Sequence, residues 1–256
     1  MIKRIVICAT ERSGSTLLCE DMRATRRLGR PHEYFIPILE KTAPADFSKT
    51  LADTEARFAA RDRGVFSVKV MMSYLPDIEA GFAASGWPGG HGSGIPYPRF
   101  LDRFREAHWI WIRRRDTASQ AVSREMARQT GVTHAIQDTS KPFFVRRGLI
   151  RHDDTYNRQA QVDLDRVIAE IDRIEAENLS WQAFFDEAGI APFVIEYEDI
   201  LEPRRETLHS IAEYCEVELG KWKMDRRLVK LSNARSREIR DAVRKRLDAT
   251  GTPTGD

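Results

Sequence analysis

The chain has 256 residues, 41% hydrophobic and 31% charged, which is enough apolar side chain for a sizeable core and too much for a disordered polypeptide. Lys and Arg total 41 against 39 Asp and Glu, a formal net charge of +2, so a platform for nucleic acid is not expected. Nine of the 41 basic residues are Lys and 32 are Arg. The total follows composition; the informative question is where single arginines, with their rigid fork of donors, fall. Cys8, Cys19 and Cys215 are odd in number and lack CxxC spacing, which speaks against a disulfide framework or structural zinc. The apolar run Ile5–Ala9 is too short for a signal peptide or a membrane span. A soluble cytoplasmic protein is expected.

In chain order, Arg4–Ala9 is apolar almost throughout and predicts a strand buried on both faces of a parallel sheet. The turn Thr10-Glu11-Arg12-Ser13-Gly14 then leads into a helix from Ser15 to about Arg27, ended by Gly29 and Pro31. Residues 48–63 read as helix and Val65–Met71 as a second strand. Residues 85–98, rich in Gly and Pro, form a long loop that suits a lid or a substrate-facing insertion. His108–Arg113 is a third strand and Asp116–Gln129 the helix after it; residues 131–156 read as irregular. Leu164–Ala188 carries apolar residues at helical spacing. Pro192–Tyr197 is a fourth strand, followed by helices over Glu206–Glu216 and most of 225–248. Strands alternating with helices predict one α/β domain over residues 1–256, a parallel sheet with flanking helices.

A buried strand, a glycine-containing turn and a helix opening on Ser and Thr form a layout that cradles anions, because the first N–H groups of a helix lack partners and its dipole favours negative charge there. In Arg12-Ser13-Gly14-Ser15-Thr16, Gly14 permits close backbone approach, the hydroxyls add donors and Arg12 adds charge. An ordinary Ser-capped turn fits the same residues. The Walker string GxxxxGK[ST] is absent, and with it the usual seat for Mg²⁺.

The third strand runs into Arg114-Arg115-Asp116, with Asp116 placed to cap the next helix. Arg115 and Ser123 stand about 12 Å apart along a helix at about 1.5 Å per residue, within joint reach of one phosphate. A solvated basic corner is the rival reading. Anion sites at the carboxyl ends of parallel strands are where open α/β sheets bind ligands.

These segments resemble the nucleotide-binding elements of sulfotransferases that use 3′-phosphoadenosine 5′-phosphosulfate, and most closely those of the trehalose-type family. The matching residues are Thr10 to Leu18, Pro31-His32-Glu33-Tyr34-Phe35, Ser67-Val68-Lys69-Val70-Met71, Arg114-Arg115-Asp116 with Gln120-Ala121-Val122-Ser123, and Tyr197-Glu198-Asp199-Ile200-Leu201. The resemblance implies a P-loop-like sulfotransferase fold and that donor as co-substrate. It further implies Arg12, Ser13, Gly14, Ser15 and Thr16 on the 5′-phosphosulfate, and Arg115 with Ser123 on the 3′-phosphate. Glu33 is implied as general base, with His32 as runner-up. Read from residues alone, Glu33 is a loop carboxylate facing an arginine. Lys69, inside an apolar strand, either balances charge on the leaving phosphate, alongside Arg12, or pairs with Glu198 or Asp199.

No metal ligand set is expected. The implied partner is a small carbohydrate or glycolipid acceptor, with homodimerisation implied by the resemblance alone. His91 in the Gly-rich loop and the tryptophans Trp87, Trp181 and Trp222 are candidates to meet an acceptor, whereas Trp109 and Trp111 read as core. For the adenine, Asn233, Arg235, Ser236 and Arg237 are considered, with a solvated helix as the simpler reading. Two other functions fit the turn less well. A P-loop-type kinase or nucleotide hydrolase would need the missing GK[ST], and a non-catalytic nucleotide- or RNA-binding module would need more positive charge.

Overall fold

Apolar residues without a polar alternate make a strand that must be covered on both faces, and the first strand is of this kind. In the computed structural model, which describes residues 2–89, 94–202 and 205–250, it forms β1 (Lys3–Ala9). The chain continues through α1 (Ser15–Thr25), α2 (Phe35–Lys41), α3 (Phe47–Arg61), β2 (Val65–Met71), α4 (Leu75–Ala84), α5 (Pro98–Phe104), β3 (His108–Arg113) and α6 (Thr117–Thr130). It ends with β4 (His134–Ile136), β5 (Leu149–Arg151), α7 (Leu164–Ala188), β6 (Phe193–Glu196), α8 (Arg205–Tyr214), β7 (Leu228–Val229) and α9 (Ala234–Thr250). The described residues fall into two compact units.

The first unit takes in residues 1–10, 14–113 and 177–224. Its sheet has the order β2-β1-β3-β6, and every pairing is parallel. Ala9 lies opposite Met71 and Ile112, and Arg113 opposite Glu196, so the strands finish close to level at one edge. Side chains alternate across a strand, and the sequence uses both phases. Val6, Cys8, Phe66, Val68, Val70, Trp109 and Trp111 join one aromatic core with Phe35, Phe47, Phe82, Phe100, Phe104, Trp181, Phe184 and Phe185. On β2 the opposite phase carries Ser67 and Lys69, both buried. The Trp181 indole N–H donates to the Ala9 carbonyl at 3.0 Å, tying α7 to the last residue of β1.

The second unit takes in residues 11–13, 114–176 and 225–256. A small sheet of order β5-β4-β7 stands beside a core in which Ala118, Ala121, Val122 and Met126 of α6 meet Val167, Ile171 and Ile174 of α7 and Val243 and Leu247 of α9. The segment 131–156, read as irregular, contains β4 and β5; at three residues each they are too short to show an alternation. The helix expected over most of 225–248 starts at Ala234, because residues 228–229 pair with β4 instead. Arg227 clips the 138–142 turn through the carbonyls of Asp138, Lys141 and Pro142, each at 2.9 Å. No helix among the described residues is long and apolar enough to cross a membrane.

Candidate active site

In the first unit, β1 delivers the chain into α1 through Gly14, whose φ of 90° lies in the left-handed region that favours glycine. A Cβ there would stand 2.9 Å from Cε2 of Tyr197, with Cδ2 closer still, so the ring and the turn fit only without a side chain. No side chain caps α1 and its first turn holds no acidic residue, which leaves the N-terminal N–H groups facing outward with the helix dipole behind them. Ser15 and Thr16 are buried at this turn.

Lys69 is buried on β2 and meets two of the expected residues at once. Its Nζ donates to Thr16 Oγ1 at 3.1 Å and pairs with Glu33 Oε1 at 3.6 Å. Among the described residues the acid paired with Lys69 is thus Glu33, where Glu198 or Asp199 was the alternative expected. Residues 28–32 run beside the outer edge of β2. Ser67 Oγ donates to the Leu28 carbonyl at 2.6 Å, and the Lys69 N–H donates to the His32 carbonyl at 3.0 Å. Gly29, at φ 77°, leaves no room for a Cβ, which would sit 3.0 Å from the Ser67 Cβ. This track puts Glu33 next to Lys69. The Glu33 side chain is 26% exposed and that of Lys69 6%, so the carboxylate meets solvent while the ammonium lies behind it. His32 turns its ring towards Tyr34, at 5.6 Å between centroids. Burial pushes the Cys19 thiol up to about 12, Lys69 pulling it down and Glu33 adding to the rise; it stays a neutral core residue.

In the second unit, Arg12 adopts φ 63°. Its Nε donates to Ser123 Oγ at 3.0 Å and its Nη1 to the Thr133 carbonyl. Two residues assigned to different ends of the donor are thus in direct contact. Ser13 Oγ is buried and makes no hydrogen bond among the described residues, a donor of the kind an anionic ligand satisfies. Arg115 is exposed and lies outside α6, so only residues 117–123 of the span expected to be helical between Arg115 and Ser123 are in the helix. Asp116 caps α6, accepting from the Ser119 N–H at 2.8 Å and the Ser119 hydroxyl at 2.7 Å. Burial alone would raise its carboxyl, but these bonds and the Arg244 and Arg114 guanidiniums hold it below the ordinary value.

Asn233 and Ser236 are not on a solvated helix start. Both are buried, with Ser236 N–H donating to Asn233 Oδ1 at 3.0 Å and Asn233 Nδ2 donating to the Asp154 carbonyl at 2.6 Å; a polar cap on α9 cannot be left wet when the helix packs into a core. Trp109 and Trp111 are core residues as expected, and Trp181 joins them. Trp87 is half-buried and pinned, its indole N–H on Asp102 at 3.3 Å and the Arg103 guanidinium 5.4 Å from its ring. Trp222 lies under Arg205 at 4.8 Å. His91 falls outside the described residues. Sequence reasoning did not single out the Tyr197 ring or the Gln120 and Arg124 side chains; all three lie in or beside quoted motifs, but contact with the turn has no signature in spacing.

A parallel sheet whose first strand feeds an uncapped, glycine-led helix, with the pair of buried Lys69 and partly exposed Glu33 at the same helix start, defines an α/β protein of the open-sheet kind. The chain belongs to the Stf0 sulphotransferase family, whose model matches residues 4–246. It is similar to a trehalose 2-sulfotransferase of Mycolicibacterium smegmatis, 26% identical with 81% of this chain and 82% of that one covered. A trehalose 2-sulfotransferase of Mycobacterium tuberculosis is likewise 26% identical, with coverages of 77% and 78%.

Proposed function

We propose that the protein transfers a sulfuryl group from 3′-phosphoadenosine 5′-phosphosulfate to a hydroxyl of a carbohydrate or glycolipid, by in-line displacement without a metal ion. The observation that carries this reading is the contact series Thr16–Lys69–Glu33, which joins a buried cation, the start of the anion helix and a half-exposed carboxylate. The donor supplies a sulfur–oxygen bond whose cleavage releases the 3′,5′-bisphosphate. Glu33 takes the proton of the acceptor hydroxyl as that oxygen bonds to sulfur. Lys69, aided by the first N–H groups of α1, Thr16 and Arg12, stands where negative charge grows on the leaving phosphate. A sulfuryl group carries less charge than a phosphoryl group, so fixed cations and N–H groups suffice in place of Mg²⁺.

Ser13, Gly14 and Ser15 complete the 5′ contact in this reading. Arg115 and Ser123 hold the 3′-phosphate, and the Arg12–Ser123 hydrogen bond supports a role for Ser123 at the same ligand. Residues 1–256 act as one catalytic domain; the family model runs through segments of both compact units. The two relatives carry trehalose in their names, which supports a carbohydrate acceptor and no finer choice. The reading also includes a cytoplasmic location, in keeping with three free, buried cysteines, and the homodimer implied by the resemblance.

The test is thermal stabilisation. The 3′,5′-bisphosphate of adenosine is expected to raise the melting temperature at concentrations where ATP with Mg²⁺ does not; equal or better stabilisation by ATP–Mg²⁺ would reject the donor. Arg115→Ala is expected to lose about tenfold or more of the preference for the bisphosphate over adenosine monophosphate, the value of a charge-assisted contact of 1.5–3 kcal/mol. Calorimetry with both nucleotides reads this, and an undiminished preference would remove Arg115 from the 3′-phosphate.

A further inference from the structure

We infer that Gln120 and Arg124 position the anion turn, holding the Glu11 carbonyl so that Arg12 keeps its left-handed backbone and its guanidinium stays aimed. The inference rests on the reading of Arg12–Thr16 as the donor's anion site. It uses Gln120, a polar residue of the Gln120–Ser123 motif without a task in the proposed chemistry, and Arg124 just beyond that motif.

Residues 120, 123 and 124 lie three and four apart and therefore share a face of α6. From that face Gln120 Nε2 donates to the Glu11 carbonyl at 2.6 Å and Arg124 Nε donates to the same oxygen at 3.1 Å. Both lone pairs of one carbonyl are thereby engaged. Between them Ser123 Oγ receives the Arg12 Nε at 3.0 Å. Gln120 is fully buried and Arg124 nearly so, and the Arg124 charge is met by Glu170 of α7 at 3.5 Å. Burying an amide and a guanidinium is costly unless they are hydrogen-bonded, and here each donates one hydrogen bond to a backbone atom one residue before Arg12. A non-glycine residue at positive φ persists only where its surroundings over-determine it. Arg12 has that support in front, from Ser123 and Thr133, and behind, from Gln120 and Arg124. Neither Gln120 nor Arg124 is assigned to ligand, so both are positioning residues.

The experiment compares wild type, Gln120→Leu, Arg124→Met and Arg124→Lys by calorimetry with the 3′,5′-bisphosphate of adenosine, by donor KM and kcat, and by amide hydrogen exchange at residues 11–13. Gln120→Leu is expected to weaken the bisphosphate about tenfold and raise the donor KM by a similar factor, with kcat lowered as well but by a smaller factor, because a mis-set turn loses ground-state contacts and also mis-aims Arg12 at the leaving phosphate. Exchange at residues 11–13 should quicken. Arg124→Lys, which keeps the charge and one donor, should recover much of what Arg124→Met loses, and this pair carries the test if Gln120→Leu does not fold. A lower melting temperature with unaltered bisphosphate affinity and unaltered exchange would overturn the positioning role. If wild type itself ignores the bisphosphate, the donor reading falls, and exchange at residues 11–13 alone then decides: faster in the variants supports positioning, unchanged overturns it.

Discussion

Glu33→Gln is expected to lower sulfuryl transfer by a factor between about a hundred and ten thousand, the range of general-base catalysis, while leaving affinity for the 3′,5′-bisphosphate intact. Gln keeps the shape of Glu and removes its charge, and with it the proton acceptor. The nucleotide contacts proposed here come from the turn, Lys69, Arg115 and Ser123, none of which is altered. Single-turnover transfer measures the first quantity and calorimetry the second. Turnover like that of wild type would dismiss Glu33 as the base. A parallel fall in nucleotide affinity would mean instead that the Lys69 partner matters chiefly for holding the site's charge balance, since Lys69 pairs with Glu33 at 3.6 Å.

The second large effect is expected at Gly14. At φ 90° an alanine is strained whatever the space, at a cost of about 1–3 kcal/mol, and here its Cβ would also press into the Tyr197 ring, 2.9 Å from Cε2. Gly14→Ala should therefore lower stability by at least that amount and weaken the bisphosphate about a hundredfold, as the α1 N-terminus shifts. Removing the ring as well separates the two causes. In Gly14→Ala/Tyr197→Ala the steric part is relieved and the backbone part stays, so the double variant should bind better than Gly14→Ala alone by a coupling of about 1 kcal/mol or more. Binding by Gly14→Ala equal to that of wild type would mean that the turn does not set the nucleotide contact. Additive losses in the double variant would show that the ring is not what excludes the methyl group.

What the sequence shows well is what repeats or runs long. β2 and β3 fall at the expected residues and α7 at both its ends, since buried strands read as continuous apolar runs and a 25-residue helix gives its period many times over. α2, α4 and α5 were not legible; at 7, 10 and 7 residues they give a period too few repeats to register, and α5 begins on a proline that reads equally well as the end of a loop. The site divides along the same line. The turn around Gly14 announces itself through local chemistry. Glu33 could be assigned only by resemblance, because its meeting with Lys69 depends on a track along β2 made by Ser67, Leu28 and Gly29 that no spacing encodes. Lys69 looked anomalous for a sound reason, a cation in an apolar strand, but its partner lay in a loop.

That track has a consequence for solubility. β2 is the outer strand of its sheet, and an outer strand with free backbone groups and apolar faces invites pairing with another molecule. Residues 28–32 occupy that border, with the His32 carbonyl taking the Lys69 N–H and the Ser67 hydroxyl bonded to Leu28. The loop that brings in the proposed base is thus also the guard against edge-to-edge association. Changes that loosen it, at Gly29 above all, would disturb the proposed site and the colloidal behaviour together, so a protein selected only for staying soluble would still be constrained to keep residue 33 beside Lys69.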